Sequence, residues 1–323
     1  MMTGFFLAGP VFAVEPAIGG AAAPTTATVE GSWEQLLDGS TGQITEFQGQ
    51  GGVKIAAYIR KPAERKPAER KPAGSGPFPV VVMLHGANDS REGTYGMGRS
   101  QKSPTQDFIA AGWAVLSIDF RPKADTPAPG STPPDANPLW DDAIAGVAKA
   151  RSYPFIDPKR VAILGGSRGG QIMSRLASRV DASCGVLCAP AGLDLIEIAK
   201  VIQKGEQINP ALKAMVKALE RRTSATIAQI EKEPDKYGYC SALTEAPKVR
   251  FPLLIISGRN DSSSPLAVVE AYARKLRESG KEVETYLPDN GPHGFYFGFP
   301  KEIPETKEAA QRAVAFLLRH FGP

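Results

Sequence analysis

Apolar positions along this chain fall into two rhythms. Short, nearly unbroken apolar runs recur at Val80-Val81-Val82-Met83-Leu84, Ala114 to Asp119, Val161-Ala162-Ile163-Leu164, Ser183 to Ala189 and Phe251 to Ser257, with Glu282 to Leu287 as the last extended segment. Runs of this kind are expected of strands buried on both faces of a parallel sheet. Between them lie helical stretches: Gln106 to Gly112, Asp141 to Ser152, the residues behind Ser167, and Pro265 to Glu278. Ala310, Ala313, Val314, Leu317 and Phe321 form the apolar face of a terminal helix. Strands alternating with helices imply an α/β protein with a mostly parallel central sheet and helices on both faces.

Two stretches depart from that alternation. Gln43 to Gln48 and Val53 to Arg60 flank Gly49-Gln50-Gly51-Gly52 and read as a hairpin. Residues 192–247 insert helices between two core strands. Residues 193–202 and 224–232 read as helical, and Leu212, Met215, Val216 and Leu219 share one helical face. We expect a small helical lid insertion here. The catalytic-size domain then runs over 41–323, after a tail over 1–40.

The chemistry concentrates in Gly165-Gly166-Ser167-Arg168-Gly169-Gly170, directly behind an apolar strand. Gly-x-Ser-x-Gly in a strand-turn-helix setting reads as a nucleophile elbow, a tight turn that lifts a serine hydroxyl above the sheet. A serine hydroxyl is a weak nucleophile near neutral pH. It needs a base within hydrogen-bond reach and an acid that orients the base. The chain has three histidines. His293 lies in a loop after the last strand and is the expected base. His85 ends the first central strand and reads as an ordering residue for its loop, and His320 suits the end of the terminal helix. Asp261, in Ser257-Gly258-Arg259-Asn260-Asp261-Ser262, is the expected acid. Asp289 is its rival, although Asp before Asn-Gly is ordinary turn chemistry.

An oxyanion hole requires two backbone N–H groups. Arg168 supplies one as the residue after the nucleophile, and Ala87 in His85-Gly86-Ala87 the other. The Arg168 side chain is either a fork donor to a substrate carboxylate or to the oxyanion, or a solvated or ion-paired arginine. Trp140, Phe295, Tyr296 and Phe297 are expected to line a substrate pocket, against the simpler alternative of core packing. Residues 121–138, rich in Pro, form a long loop at a strand's C-terminal end, where open α/β sheets place ligands.

These pieces together resemble the dienelactone-hydrolase and prolyl-oligopeptidase-like group of α/β-hydrolases over roughly residues 43–321. The matching segments are Val-Met-Leu-His85-Gly86, Ser117-Ile118-Asp119-Phe120-Arg121, Gly-Gly-Ser167-Arg-Gly-Gly, Ile-Ser-Gly-Arg-Asn-Asp261 and Pro-His293-Gly-Phe. The resemblance implies an α/β-hydrolase fold, a triad of Ser167, Asp261 and His293, and no cofactor. Oligopeptidases of the group carry a large N-terminal propeller, whereas about 40 residues precede the first strand here; this lowers the peptidase expectation. Dienelactone hydrolases proper use cysteine where this chain has Ser167. The serine motif is also similar to that of acetyl xylan esterases and cephalosporin deacetylases, and glucuronoyl esterases likewise carry Arg after their serine. A serine hydrolase of carboxylic esters, with a small-molecule ester as substrate, is therefore expected. The alternatives are a peptidase on short peptides or aminoacyl amides, and a non-catalytic binding protein on this fold.

The remaining features narrow the picture. The net charge is +4, and Arg60 together with the basic repeat KPAER-KPAER-KPA from Lys61 to Ala73 accounts for it. A duplicated, solvated loop extension accounts for that repeat, and neither a nucleic-acid nor a membrane partner is expected. No His/Cys grouping has metal-ligand spacing, and the glycine-rich turn lacks the Lys-Ser/Thr of a phosphate loop. Cys184 and Cys188, four apart on a strand, lie roughly 13 Å apart and cannot bridge each other. They are expected to be buried free thiols, with Cys240 a third. The N-terminal stretch ending at Ala13 is signal-like without a positive leading region, so a secreted or periplasmic location is expected.

Overall fold

In a computed structural model of the protein, the described residues are 30–63, 76–87, 102, 104–121, 137–237 and 241–322. The signal-like segment, most of the KPAER repeat, most of the 121–138 loop and Cys240 lie outside them. Nine strands form one sheet: β1 (Glu34–Gln35), β2 (Thr41–Gln48), β3 (Lys54–Lys61), β4 (Phe78–Leu84), β5 (Ala114–Ile118), β6 (Ile156–Gly166), β7 (Cys184–Cys188), β8 (Leu253–Ile256) and β9 (Val283–Tyr286). Their order is β1-β2-β3-β5-β4-β6-β7-β8-β9. From β5 to β9 every pairing is parallel, while β1, β2 and β3 add on as an antiparallel edge.

The apolar runs become central strands because both faces of the sheet are covered. Val80, Val82, Leu84, Val161 and Ile163 enter one apolar cluster. Their alternates Val81, Met83, Ala162 and Leu164 enter a second on the opposite face. Period-two alternation of side chains accounts for this split. The first face is covered by α2 (Pro138–Ser152), α3 (Arg168–Leu176) and α9 (Leu266–Glu278), the second by α1 (Thr105–Ala110) and α10 (Pro304–Phe321). α2 starts where Asn137 accepts a hydrogen bond from Leu139 N (3.1 Å), with Pro138 in the first turn. Asn caps N–H groups that have no helical partner, and Pro has no N–H to satisfy there.

β1 falls inside the stretch expected to be tail. Glu34 and Gln35 pair with Gly42 and Thr41, and the Tyr58 hydroxyl donates to Glu34 Oε1 (2.7 Å). A two-residue strand offers too few alternations to be read from sequence. The helical insertion lies within residues 192–247. It comprises α4 (Leu195–Gln203), α5 (Pro210–Thr223), α6 (Ile227–Lys232), α7 (Pro234–Tyr237) and α8 (Ala242–Glu245). Ile198, Leu212, Val216, Leu219 and Ile230 belong to the same cluster as the sheet's own residues, so the insertion extends the core.

One carboxylate ties the two ends of that insertion together. Asp194, fully buried, caps α4 by accepting from Ile196 N (3.1 Å) and Glu197 N (3.0 Å) through Oδ1. Its Oδ2 accepts from the Ser241 hydroxyl and from Leu243 N (3.1 Å), at the start of α8. A buried carboxylate is tolerated only where donors replace its water, and here four do so.

Candidate active site

The elbow is built from backbone that approaches too closely for any side chain. A Cβ on Gly169 would lie 2.0 Å from Leu84 O, and one on Gly165 would lie 2.3 Å from Gly169 O. Ser167 between them has φ 52° and ψ −113°. Non-glycine residues seldom occupy that region, which costs about 1–3 kcal/mol and persists only where the surroundings impose it. The surroundings are hydrogen bonds: Ser167 N donates to Cys188 O of β7 (2.8 Å), and Ser167 O accepts from Gln171 N (3.1 Å) and Ala191 N (3.2 Å). The hydroxyl is thereby presented at the C-terminal edge of β6, at the start of α3.

The loops after β8 and β9 bring the partners. His293 Nδ1 lies 2.7 Å from Asp261 Oδ2 and donates its N–H there, which leaves Nε2, 2.9 Å from the Ser167 hydroxyl, to accept from it. That tautomer follows from Asp261 being an acceptor only. Asp261 is 4% exposed, and its other oxygen accepts from Ser263 N (2.8 Å) and Ser264 N (3.3 Å). The two loops touch backbone to backbone, since a Cβ on Gly258 would meet Gly291 O at 1.7 Å. Asp289, the rival acid, is 88% exposed and pairs with Arg259 (3.4 Å). It belongs to the turn and does not reach His293.

On the other side of Ser167, His85 is buried and its Nδ1 lies 2.7 Å from Gly86 O. Ala87 follows directly and is exposed. The α3 N-terminus begins at Arg168, so first-turn N–H groups there have no partner within the helix. Arg168's guanidinium carbon sits over the Phe120 ring, 5.5 Å from its centroid. Although the residue is solvent-exposed overall, desolvation around the head pulls its pKa below the ordinary arginine value.

The aromatic residues expected at a pocket lie elsewhere. Phe295 and Tyr296 are 1% exposed, in a 3-10 turn (Phe295–Phe297) packed against α10, where the Thr306 hydroxyl donates to Phe295 O (2.8 Å). Phe297 packs beneath the elbow, its ring nearest to where a Gly166 Cβ would be. Trp140 is buried in the cluster under α2 with Arg179 over its ring. Gly294, at φ 83°, turns the chain immediately after His293 and sends the three aromatics inward. Cys184 and Cys188 are free and buried, and burial raises both thiols well above their ordinary pKa.

Sequence reasoning missed the supports. The Ser262-Ser263-Ser264 run behind Asp261 is a legible signal, since an Asp side chain commonly accepts from N–H groups two residues on. Asn209 gives no such signal. It caps α5 through Ala211 N (2.9 Å), while its Nδ2 donates to Ser263 Oγ (2.8 Å) and its own N–H to Ser262 O (3.0 Å). The insertion thus braces the loop that holds Asp261.

Comparison with known proteins places the fold. The chain is 28% identical over 226 residues to dipeptidyl aminopeptidase BIII of Pseudoxanthomonas mexicana, covering 68% of this chain and 30% of that protein. It is 27% identical over 245 residues to esterase EstD of Thermotoga maritima, covering 72% and 58%. It therefore spans less than two thirds of either relative. Among solved structures, the acylaminoacyl peptidase of Pyrococcus horikoshii superposes with a TM-score of 0.64 at 19% identity, over 88% of this chain and 42% of that one. A Pyrococcus furiosus esterase superposes with a TM-score of 0.59 at 22% identity, over 87% and 92%. The BD-FAE family model matches residues 69–276, more than half of the chain. With its parallel sheet, elbow and helices on both faces, the chain is an α/β-hydrolase and belongs to the BD-FAE family.

Proposed function

We propose that this protein is a serine hydrolase of carboxylic esters, acting through an acyl-enzyme on Ser167. The observation that carries this reading is the continuous relay Asp261–His293–Ser167, at 2.7 and 2.9 Å. Ser167 attacks the acyl carbonyl while His293 Nε2 takes the hydroxyl proton. Asp261 holds the ring in the productive tautomer and stabilises the imidazolium. The developing oxyanion binds the backbone N–H groups of Arg168 and Ala87, at the positive end of α3. Collapse expels the alcohol with the proton from His293, and water then releases the acyl group by the reverse sequence.

An alkoxide is a better leaving group than an amine anion, so the relay meets a lower demand with esters. The peptidase reading is kept because the aminopeptidase relative matches over 68% of this chain. Initial rates on p-nitrophenyl esters from acetate to long chains, beside aminoacyl p-nitroanilides, separate the two. We expect short-ester turnover to exceed anilide turnover, and Ser167→Ala to lower it by at least about 10⁴-fold. Anilide preference would replace the esterase reading with the peptidase one. Full activity in Ser167→Ala would remove both.

A further inference from the structure

Arg168 stands beside the nucleophile, yet its guanidinium has no carboxylate and no oxygen acceptor among the described residues; its contact is the Phe120 ring. That ring is fixed. Phe120 packs tilted against His85 at 4.2 Å between centroids, and the next residue, Arg121, forks onto Asp142 with two bonds of 2.6 Å. Asp142 is fully buried, so the pair pins the chain behind Phe120 to α2. Attraction to an aromatic face holds a cation in place but satisfies none of its five N–H donors with an oxygen. A partly desolvated cation whose donors meet no oxygen among the described residues is stabilised by an anion that fits the fork.

The direction of Arg168 selects which end of a substrate it meets. In the sheet order β5-β4-β6-β7-β8-β9, Ser167 ends β6, His293 and Asp261 follow β9 and β8, and Phe120 follows β5. The leaving oxygen must face His293 Nε2 to receive its proton, which puts the alcohol on the β8–β9 side. The Arg168 head lies over Phe120 on the β4–β5 side of Ser167, away from the loops that carry His293 and Asp261, so it would meet a substrate substituent on the acyl side rather than the leaving alcohol. We infer that Arg168 is a specificity residue whose side chain binds a carboxylate carried on the acyl part of the substrate, so that the preferred esters are half-esters of dicarboxylic acids. This rests on the esterase reading above.

The test compares monomethyl glutarate with methyl pentanoate, esters of similar length with and without the distal carboxylate, by pH-stat. The readout is the ratio of kcat/KM for the charged over the neutral ester, which cancels any effect of the substitution on shared machinery. The ratio is expected to fall about 10- to 100-fold in Arg168→Met, as for loss of a charge-assisted hydrogen bond, and to recover in part in Arg168→Lys. An unchanged ratio in Arg168→Met would overturn the proposal, whether both rates fall together or neither does. Calorimetric binding of glutarate to the wild type and Arg168→Met reads the same cation without turnover. Binding lost in Arg168→Met supports the assignment, and equal or absent binding in both overturns it. Glutarate binding that needs Arg168, with neither ester hydrolysed, would keep the anion site and sink the esterase reading instead.

Discussion

The elbow under Ser167 and the insertion over residues 192–247 both border the site, and they are held by different means. The elbow is held by excluded volume: backbone from β4, β6 and α3 approaches until only glycine fits at 165 and 169. The insertion is held by apolar side chains that join the sheet's own cluster and by a few polar anchors, with Asp194 joining its two ends and Asn209 joining it to the Asp261 loop. Steric exclusion tolerates no added atom, and its failure displaces the nucleophile directly. Polar anchors fail one bond at a time, while the insertion's apolar contacts with the sheet cluster remain.

The largest effect should come from breaking the first device. In Gly169→Ala the new methyl meets Leu84 O at 2.0 Å, so backbone must move. Displacing Ser167 by about 1 Å costs on the order of 100-fold in ester turnover. We expect at least that loss, with a lowered Tm, in a protein that still gives an α/β circular dichroism spectrum. Near-normal turnover would mean that the elbow yields more than its packing implies.

Breaking the second device should cost stability before activity. Asp194→Ala leaves Ile196 N, Glu197 N, Leu243 N and the Ser241 hydroxyl without their acceptor. A loss on the order of 3 kcal/mol is expected. It should be read as a lower Tm and as new proteolytic cleavage confined to 192–247. Cleavage spread over the whole chain would show that the insertion and the sheet unfold as one unit.

The smallest effect sharpens the link between the two regions. Asn209→Ala removes the α5 cap, worth about 1 kcal/mol, together with the bond to Ser263 Oγ. Because Ser263 N also supports Asp261, kcat is expected to fall a few-fold while KM holds. A pure Tm change with unaltered kcat would make Asn209 a cap and nothing more.

Much of this was legible in the chain itself. Val80 to Leu84 and Val161 to Leu164 had to be buried strands, because an unbroken apolar run is stable only with both faces covered. The glycines around Ser167 marked a turn that no other residue allows, and the order of Ser167, Asp261 and His293 suggested how three strand ends would converge. Local periodicity and turn chemistry carry such information because they act between near neighbours.

Tertiary structure decided the rest. Phe295, Tyr296 and Trp140 look alike in a sequence whether they line a pocket or fill a core, and packing against α10 and under α2 made them core. Asp261 and Asp289 are both carboxylates in loops after strands; contact between Gly258 and Gly291 set which one meets His293. The Arg168 head lies over Phe120 only because β5 and β6 flank β4, an adjacency created by sheet order. The sequence determined which segments would be strands, helices and the elbow; contacts between residues far apart in the chain determined which side chains those elements turn toward the site.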